Sequence, residues 1–181
     1  RYVVEALEAE GCSVFRAPKY NGDLYAEADD VIGSLCAWAW ESGHSVTILS
    51  SDKDLLQLVN PRVTMLRPLD KEHKVYDESA VLEKYGLPPA KIADFLALAG
   101  DTSDNYKPYA GIGDKRAIEL IKKYGHALGV FDGVVSMPEL NEVLGQKLAD
   151  SFVAAGPEPA RKALKVATIV RDLPLDFERL T

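Results

Sequence analysis

The chain has 181 residues, enough for one large domain or two small ones. Its 47% apolar and 27% charged content excludes an intrinsically disordered chain, and no apolar run approaches the ~18 residues needed to span a bilayer. With 21 Lys and Arg against 28 Asp and Glu the formal charge is −7, which argues against coating nucleic acid by bulk charge but leaves open contact with phosphate through bound metal. Cys12 and Cys36 have neither CxxC nor His-paired spacing, so they read as two buried small hydrophobes in a reducing compartment, not as a zinc site. Residue 1 is Arg, so the sequence reads as a fragment or processed product that would not display a targeting signal.

In chain order, the pattern predicts a helix over Val3–Ala9 ending at Gly11 and a short strand at Ser13–Phe15. Pro18 to Tyr25 carries loop chemistry. A long helix follows over Ala28–Glu41, with Val31, Leu35 and Trp38 on one face and Gly43 as its stop. Ser45–Ser50 is β-branched and apolar and reads as a buried strand, and a helical pattern restarts at Lys53–Val59. Val63–Leu66 and Lys74–Tyr76 read as two more strands. Asp77 caps a helix to Tyr85, stopped by Gly86. Pro88 and Pro89 open a helix over Ala90–Ala99, stopped by Gly100. Thereafter only helices are expected: Asp114–Tyr124, one near Pro138–Ala155, and one over Pro159–Val170. Strand and helix alternate first and helices follow, so the expected fold is an α/β domain (1–92) followed by a helical domain (93–181).

Three acidic clusters punctuate these elements: Glu27, Asp29 and Asp30 at a helix start, Asp52 and Asp54 after the strand, and Asp101 and Asp104 past a helix end. Each alone reads as a cap or a turn. Together they are seven carboxylates with only Lys53 among them, and converged they would repel one another unless cations intervened. Oxygen donors without His or Cys select Mg²⁺ or Mn²⁺, and two such ions about 4 Å apart form a clamp for phosphodiester hydrolysis. Lys53 reads equally as a phosphate contact or a solvent-facing lysine. The seven acids equal the whole net charge, so the chain is otherwise neutral.

A further feature is Gly111-Ile112-Gly113-Asp114-Lys115 with Arg116. Its glycines allow a tight turn that bares backbone N–H groups at a helix start, a site suited to phosphate. Residues 107–123 hold five basic and two acidic side chains, and residues 161–171 hold four basic and none acidic.

These stretches resemble the 5′-nuclease family: the 5′→3′ exonuclease domain of DNA polymerase I, the phage 5′-nucleases and, more distantly, flap endonucleases. The matching segments are AEADDVIGSL (26–35), ILSSDKDLLQLV (48–59), YGLPPAKIADFLALAGDTSDN (85–105), GIGDKRAIELI (111–121) and ALKVATIVRDLPLDFERL (163–180). The resemblance implies a PIN-like, Rossmann-like, mostly parallel sheet lacking its first strand and arch, then a helix–hairpin–helix domain. It implies that Glu27, Asp29 and Asp30 serve one metal site, that Asp101 and Asp104 complete a second, and that Asp52 and Asp54 lie between. Catalysis would centre on Asp29, Asp30, Asp52 and Asp54. Gly111, Ile112, Gly113, Lys115 and Arg116 would grip duplex DNA, with a K⁺ ion at the hairpin. The implied activity is Mg²⁺- or Mn²⁺-dependent 5′→3′ exonuclease and 5′-flap cleavage in replication and repair. The implied protein is a monomer working beside a DNA polymerase domain or partner, in the cytoplasm or nucleoid if bacterial, or in an organelle. Two departures stand out: Lys19–Leu24 reads as a local insertion, and Tyr106-Lys107-Pro108-Tyr109 keeps the family spacing without its Pro-Gly residues. The alternatives are a non-catalytic duplex-binding module and an RNA-directed nuclease of the PIN-like group, against which the glycine hairpin argues.

Overall fold

The computed structural model describes residues 2–19, 25–68, 74–102, 105–132 and 136–180. The chain divides into two compact units, one made of Arg1–Thr47 with Ile169–Thr181 and the other of Ile48–Thr168.

The first unit holds α1 (Tyr2–Ala9) and α2 (Ala28–Glu41). Ala26, Val31 and Leu173 form a small core, flanked by Phe15, Leu35, Val170 and Leu175. The closing segment lies so near α2 that a Cβ on Gly33 would come within 2.6 Å of Ile169 Cγ2 and of the Val170 carbonyl. Only glycine fits there without a shift. Buried Ser34 fastens the same contact, donating to Asp30 O at 2.8 Å and accepting from Leu173 N at 3.0 Å. Trp38 stacks between His44 and Phe177, with ring centroids 5.5 and 5.6 Å away. The expected strand at Ser13–Phe15 does not form: among the described residues no strand pairs with this segment, and a strand exists only through its neighbour. The proposed insertion is closed by a bridge between Lys19 and Tyr25, and residues 20–24 lie outside the described part.

The sheet has three strands in the order β1 (Val46–Leu49), β2 (Val63–Leu66) and β3 (Val75–Tyr76). β2 and β3 are antiparallel, with Met65 opposite Tyr76 and Leu66 opposite Val75. Eight residues separate Leu66 from Val75, fewer than the dozen or so that a parallel crossover needs, so the antiparallel sense follows from the length of the connection. The described sheet is small and mixed, within the α/β fold expected. β1 stands at its edge and is not the buried strand expected, since Ile48 is buried but Leu49 is 66% exposed.

In the second unit, Lys53–Val59 was expected to be helical and is a 3₁₀ turn over Asp54–Leu58 that buries Leu55, Leu56 and Leu58. Such side chains contribute about 1.5–3 kcal/mol each on full burial. α3 (Glu78–Tyr85) starts at Asp77, whose Oδ1 accepts from Ala80 N at 2.8 Å, and ends at Gly86 with φ 65°. After a short 3₁₀ turn comes α4 (Ile92–Ala99), which buries Ile92, Phe95, Leu96, Ala97 and Leu98. α4 packs against α5 (Asp114–Tyr124) and α8 (Glu158–Ala167). α8 offers it Ala160, Ala163 and Ala167, small residues that permit close approach. Gln57 Nε2 donates to both Asp54 O and Ala167 O at 2.9 Å, tying the 3₁₀ turn to the end of α8.

The single helix expected near Pro138–Ala155 is two, α6 (Met137–Leu144) and α7 (Gln146–Ala155), broken at Gly145, whose φ of 77° no continuous helix accommodates. α8 stops at Ala167 instead of Val170, because Thr168 is extended. Among the described residues no strand follows β3 and no helix is long and apolar enough to cross a membrane.

Candidate functional site

In the first unit the opening acids are built into the start of α2. Glu27 is the N-cap, its backbone N–H donates to Asp30 Oδ2 at 3.1 Å, and its own carboxylate accepts from the Asp30 backbone in return. Asp30 Oδ1 accepts from Val170 N at 2.9 Å. Both Asp30 oxygens are thus engaged with backbone, pinning the helix start and the closing segment together. Asp29 is half-buried and Glu27 exposed.

In the second unit, Asp52 and Asp54 follow β1 across a tight turn. Asp52 N donates to Ser50 Oγ at 3.1 Å, and Asp52 Oδ1 accepts from Asp54 N at 3.0 Å. Asp52 is exposed, whereas Asp54 opens the 3₁₀ turn with its Oδ1 shielded from water. Asp101 follows α4 and is 2% exposed. The loop after it folds back through paired bonds, Asp101 N to Tyr106 O and Tyr106 N to Asp101 O, both 2.9 Å. Gly100, at φ 80°, makes this possible, because a Cβ there would lie 2.6 Å from Tyr106 O. Asp104 lies outside the described residues.

Lys53 joins the two acidic segments of this unit, its Nζ 2.9 Å from Asp101 Oδ2. Lys53, read from the sequence as either a phosphate contact or a solvent-facing lysine, makes this ion pair while remaining 37% exposed. It forms because a carboxylate withdrawn from water needs a compensating charge, which the Lys53 ammonium supplies. Burial pulls the Lys53 pKa down, but the Asp101 hydrogen bond and charge, joined by Asp54 and Tyr85, outweigh it and raise the pKa above 10.5. Among the described residues, no three His, Cys, Asp or Glu side chains gather closely enough to hold a metal ion.

The glycine turn belongs to the same unit. Ile112 is fully buried and anchors it, while Gly111 and Gly113 remain exposed. Arg116 Nη1 donates to Gly111 O at 2.9 Å and braces the turn. Gly113 is the N-cap of α5 with φ −113°, which any residue adopts, and a Cβ there would meet nothing within 4 Å. Neither backbone nor packing demands glycine at this position, and its effect is to leave the start of α5 bare. Lys115 is exposed beside it, whereas Lys123 is drawn away to Glu142 at 3.2 Å and Glu139 O at 3.0 Å.

Sequence reasoning missed Tyr109. Its hydroxyl donates to Gly156 O at 2.8 Å and accepts from Ala160 N at 3.3 Å, fixing the glycine turn to the start of α8. No local pattern marks a tie that spans about fifty residues. The cysteine reading holds for Cys36, which is buried, but Cys12 is exposed, since the segment that carries it forms no strand.

Comparison with known proteins accounts for both segments of the chain. Residues 1–86 match the family described as 5′-3′ exonuclease, N-terminal resolvase-like domain, and residues 87–180 match 5′-3′ exonuclease, C-terminal SAM fold. DNA polymerase I of Bacillus caldotenax is 37% identical over 90% of the chain, which spans 18% of that protein. A 5′-3′ exonuclease of Aquifex aeolicus is 33% identical over 97% of the chain, which spans 54% of it. The phage T5 5′-exonuclease solved with bound zinc shares the fold at 20% identity and TM-score 0.60, covering 92% of this chain and 66% of its own. The catalytic core of Rad2 bound to DNA substrate does so at 19% identity and TM-score 0.56, covering 98% and 60%. The fold is thus a resolvase-like α/β segment followed by a helical SAM-fold segment, and the chain belongs to the 5′-3′ exonuclease family.

Proposed function

We propose that this chain carries the nuclease machinery of a metal-dependent 5′→3′ DNA exonuclease that also cuts 5′ flaps, acting in replication and repair. What supports this reading is the match of both segments to the 5′-3′ exonuclease family, together with the Lys53–Asp101 ion pair that ties buried Asp101 to the Asp52–Asp54 turn. The donors are hard oxygens, the set that suits Mg²⁺ or Mn²⁺. When bound, such ions supply an activated water and neutralise charge on the leaving oxygen.

Within this reading, Glu27, Asp29 and Asp30 serve one ion, Asp101 and Asp104 serve the other, and Asp52 and Asp54 lie between them. Asp30 has a second duty, since both its oxygens already accept from backbone. Asp52 also sets the turn that orients Asp54. The bare start of α5, with Gly111, Gly113 and Lys115, holds duplex phosphate and keeps the substrate in register, while buried Ile112 and the Arg116 brace fix the turn's shape. A K⁺ ion at the turn would be held by its backbone carbonyls. The protein works as a monomer beside a polymerase domain or partner, in the cytoplasm or nucleoid if its source is bacterial, or otherwise in an organelle.

The test incubates a 5′-flap duplex and a blunt duplex with Mg²⁺ and the wild type, Asp52→Ala or Asp101→Ala. Cleavage by the wild type and its loss in both variants is expected. Duplex binding without any cleavage would overturn the enzymatic reading in favour of a binding module, and cleavage unaffected by both substitutions would overturn the site.

A further inference from the structure

α8 has two unlike sides. Ala160, Ala163 and Ala167 face α4, which leaves Arg161, Lys162 and Lys165 exposed within one turn of each other. Two surface grooves border this basic side. Lys162 lines both, with Lys107 and Pro108 on the wall of one and Arg161, Lys165 and Leu128 on the wall of the other. Among the described residues, the one carboxylate lining either groove is Glu158, which pairs with Arg161 Nε at 3.4 Å. Four cations against one anion give the described residues of this surface a charge of +3 on a chain of −7. Such a contrast attracts a polyanion to one place.

This surface is mechanically joined to the glycine turn. Tyr109, two residues before Gly111, binds both Gly156 O and Ala160 N through its hydroxyl. Its ring packs on Phe152 of α7 at 4.5 Å between centroids, and a Cβ on Gly111 would touch Leu148 at 3.0 Å. The turn, α7 and the start of α8 are therefore held together, with Lys107 entering from the segment that leads into the turn.

We infer that Lys107, Arg161, Lys162 and Lys165 form a second phosphate track, which takes the backbone of the same DNA duplex that the glycine turn holds. This rests on the DNA-directed reading above. Nothing in the track reads base edges, so it lengthens the footprint without adding sequence preference. Each occupied cation displaces condensed counterions, so the track makes binding steeply salt-dependent.

The test measures binding of a labelled blunt duplex in EDTA, where no cleavage intervenes, between 50 and 200 mM salt. Arg161→Ala/Lys162→Ala/Lys165→Ala is expected to flatten the slope of log K against log salt by about 2–3, so that the wild type loses on the order of 40-fold more affinity across that range. Arg161→Lys/Lys165→Arg is expected to keep the wild-type slope. Should the triple variant melt early, Lys165→Ala alone carries the test through a slope change of about 1. Lys115→Ala reports on the turn separately. A triple variant with the wild-type slope, beside a Lys115→Ala that loses slope, would overturn the track and leave the proposed function standing. A wild type that binds no duplex would overturn both. Loss of poly-glutamate binding with duplex binding intact would assign the surface to an acidic peptide and overturn the track.

Discussion

The ammonium of Lys53 lies 2.9 Å from Oδ2 of Asp101, a carboxylate with only 2% of its side chain exposed. The pair closes a loop of nearly fifty residues and brings an acid past α4 to the acidic turn after β1. Lys53 itself is 37% exposed, so the bond lies at the border between interior and solvent. Exposed pairs contribute about 0–1 kcal/mol, whereas breaking a fully buried one costs about 3–5. Lys53→Met is expected to cost on the order of 1–2 kcal/mol in urea unfolding with EDTA present. Saturating Mg²⁺ is expected to shrink that deficit, because a divalent ion at Asp101 takes over the task of the ammonium. An equal deficit with and without Mg²⁺ would show that ion and ammonium do not share this carboxylate.

Asp30 joins two segments 140 residues apart by accepting from Val170 N while capping α2 through Glu27 N. Asp30→Ala leaves two backbone donors without their acceptor, at about 1–3 kcal/mol in total. The closing segment after α8 is expected to become the first site of limited proteolysis. Asp30→Asn keeps one acceptor oxygen and is expected to retain most of the protection while weakening divalent-ion binding. If Asp30→Ala leaves the proteolysis pattern unchanged, the carboxylate does not hold the segment.

The elements legible in the sequence are those whose causes are local. The Asp77 cap, the Gly86 stop and the span of α2 follow from residues within one turn, and each appears where the pattern puts it. Ser13–Phe15 failed because a strand exists only through a neighbour that sequence alone does not supply. Gly145 split the expected helix because a glycine inside an apolar pattern can be tolerated or can break it, and packing decides. The acidic clusters were legible as residue types at meaningful spacing. Their partners were not: Lys53 with Asp101, Asp30 with Val170 and Tyr109 with Gly156 are products of the tertiary fold.

Cys36 and Cys12 should differ sharply in reactivity. Burial pushes the Cys36 thiol up to about 11, against the milder opposing charge of Arg171. The thiolate is the reactive form, so at pH 8 Cys36 is inert, whereas Cys12 is exposed. Native protein is expected to yield one of its two thiols to Ellman's reagent, and the second only in urea. The raised value also sets a sign for stability. The contribution is whole below the ordinary value of 9.0 and is lost as pH rises through about 11. Cys36→Ala is expected to flatten the decline of stability in that interval, and an unchanged decline would assign it to other groups.

Gly100 and Gly113 flank the loop between α4 and α5 and should respond oppositely to alanine. Gly100 sits at φ 80°, and its added methyl would lie 2.6 Å from Tyr106 O, inside the bonds that fold the loop back at Asp101. Gly100→Ala is expected to cost about 1–3 kcal/mol in unfolding free energy and to displace Asp101 from Lys53. Gly113 has ordinary φ and open space, so Gly113→Ala is expected to change stability by less than about 1 kcal/mol. Its methyl instead fills the approach to the bare start of α5. Duplex affinity in EDTA is expected to fall about tenfold, a difference of roughly 1.4 kcal/mol. Unfolding curves and duplex titrations on the two variants separate the cases. A Gly113→Ala that binds duplex like the wild type would mean that DNA backbone does not approach α5 there, and a Gly100→Ala of wild-type stability would mean that the loop folds back without help from glycine.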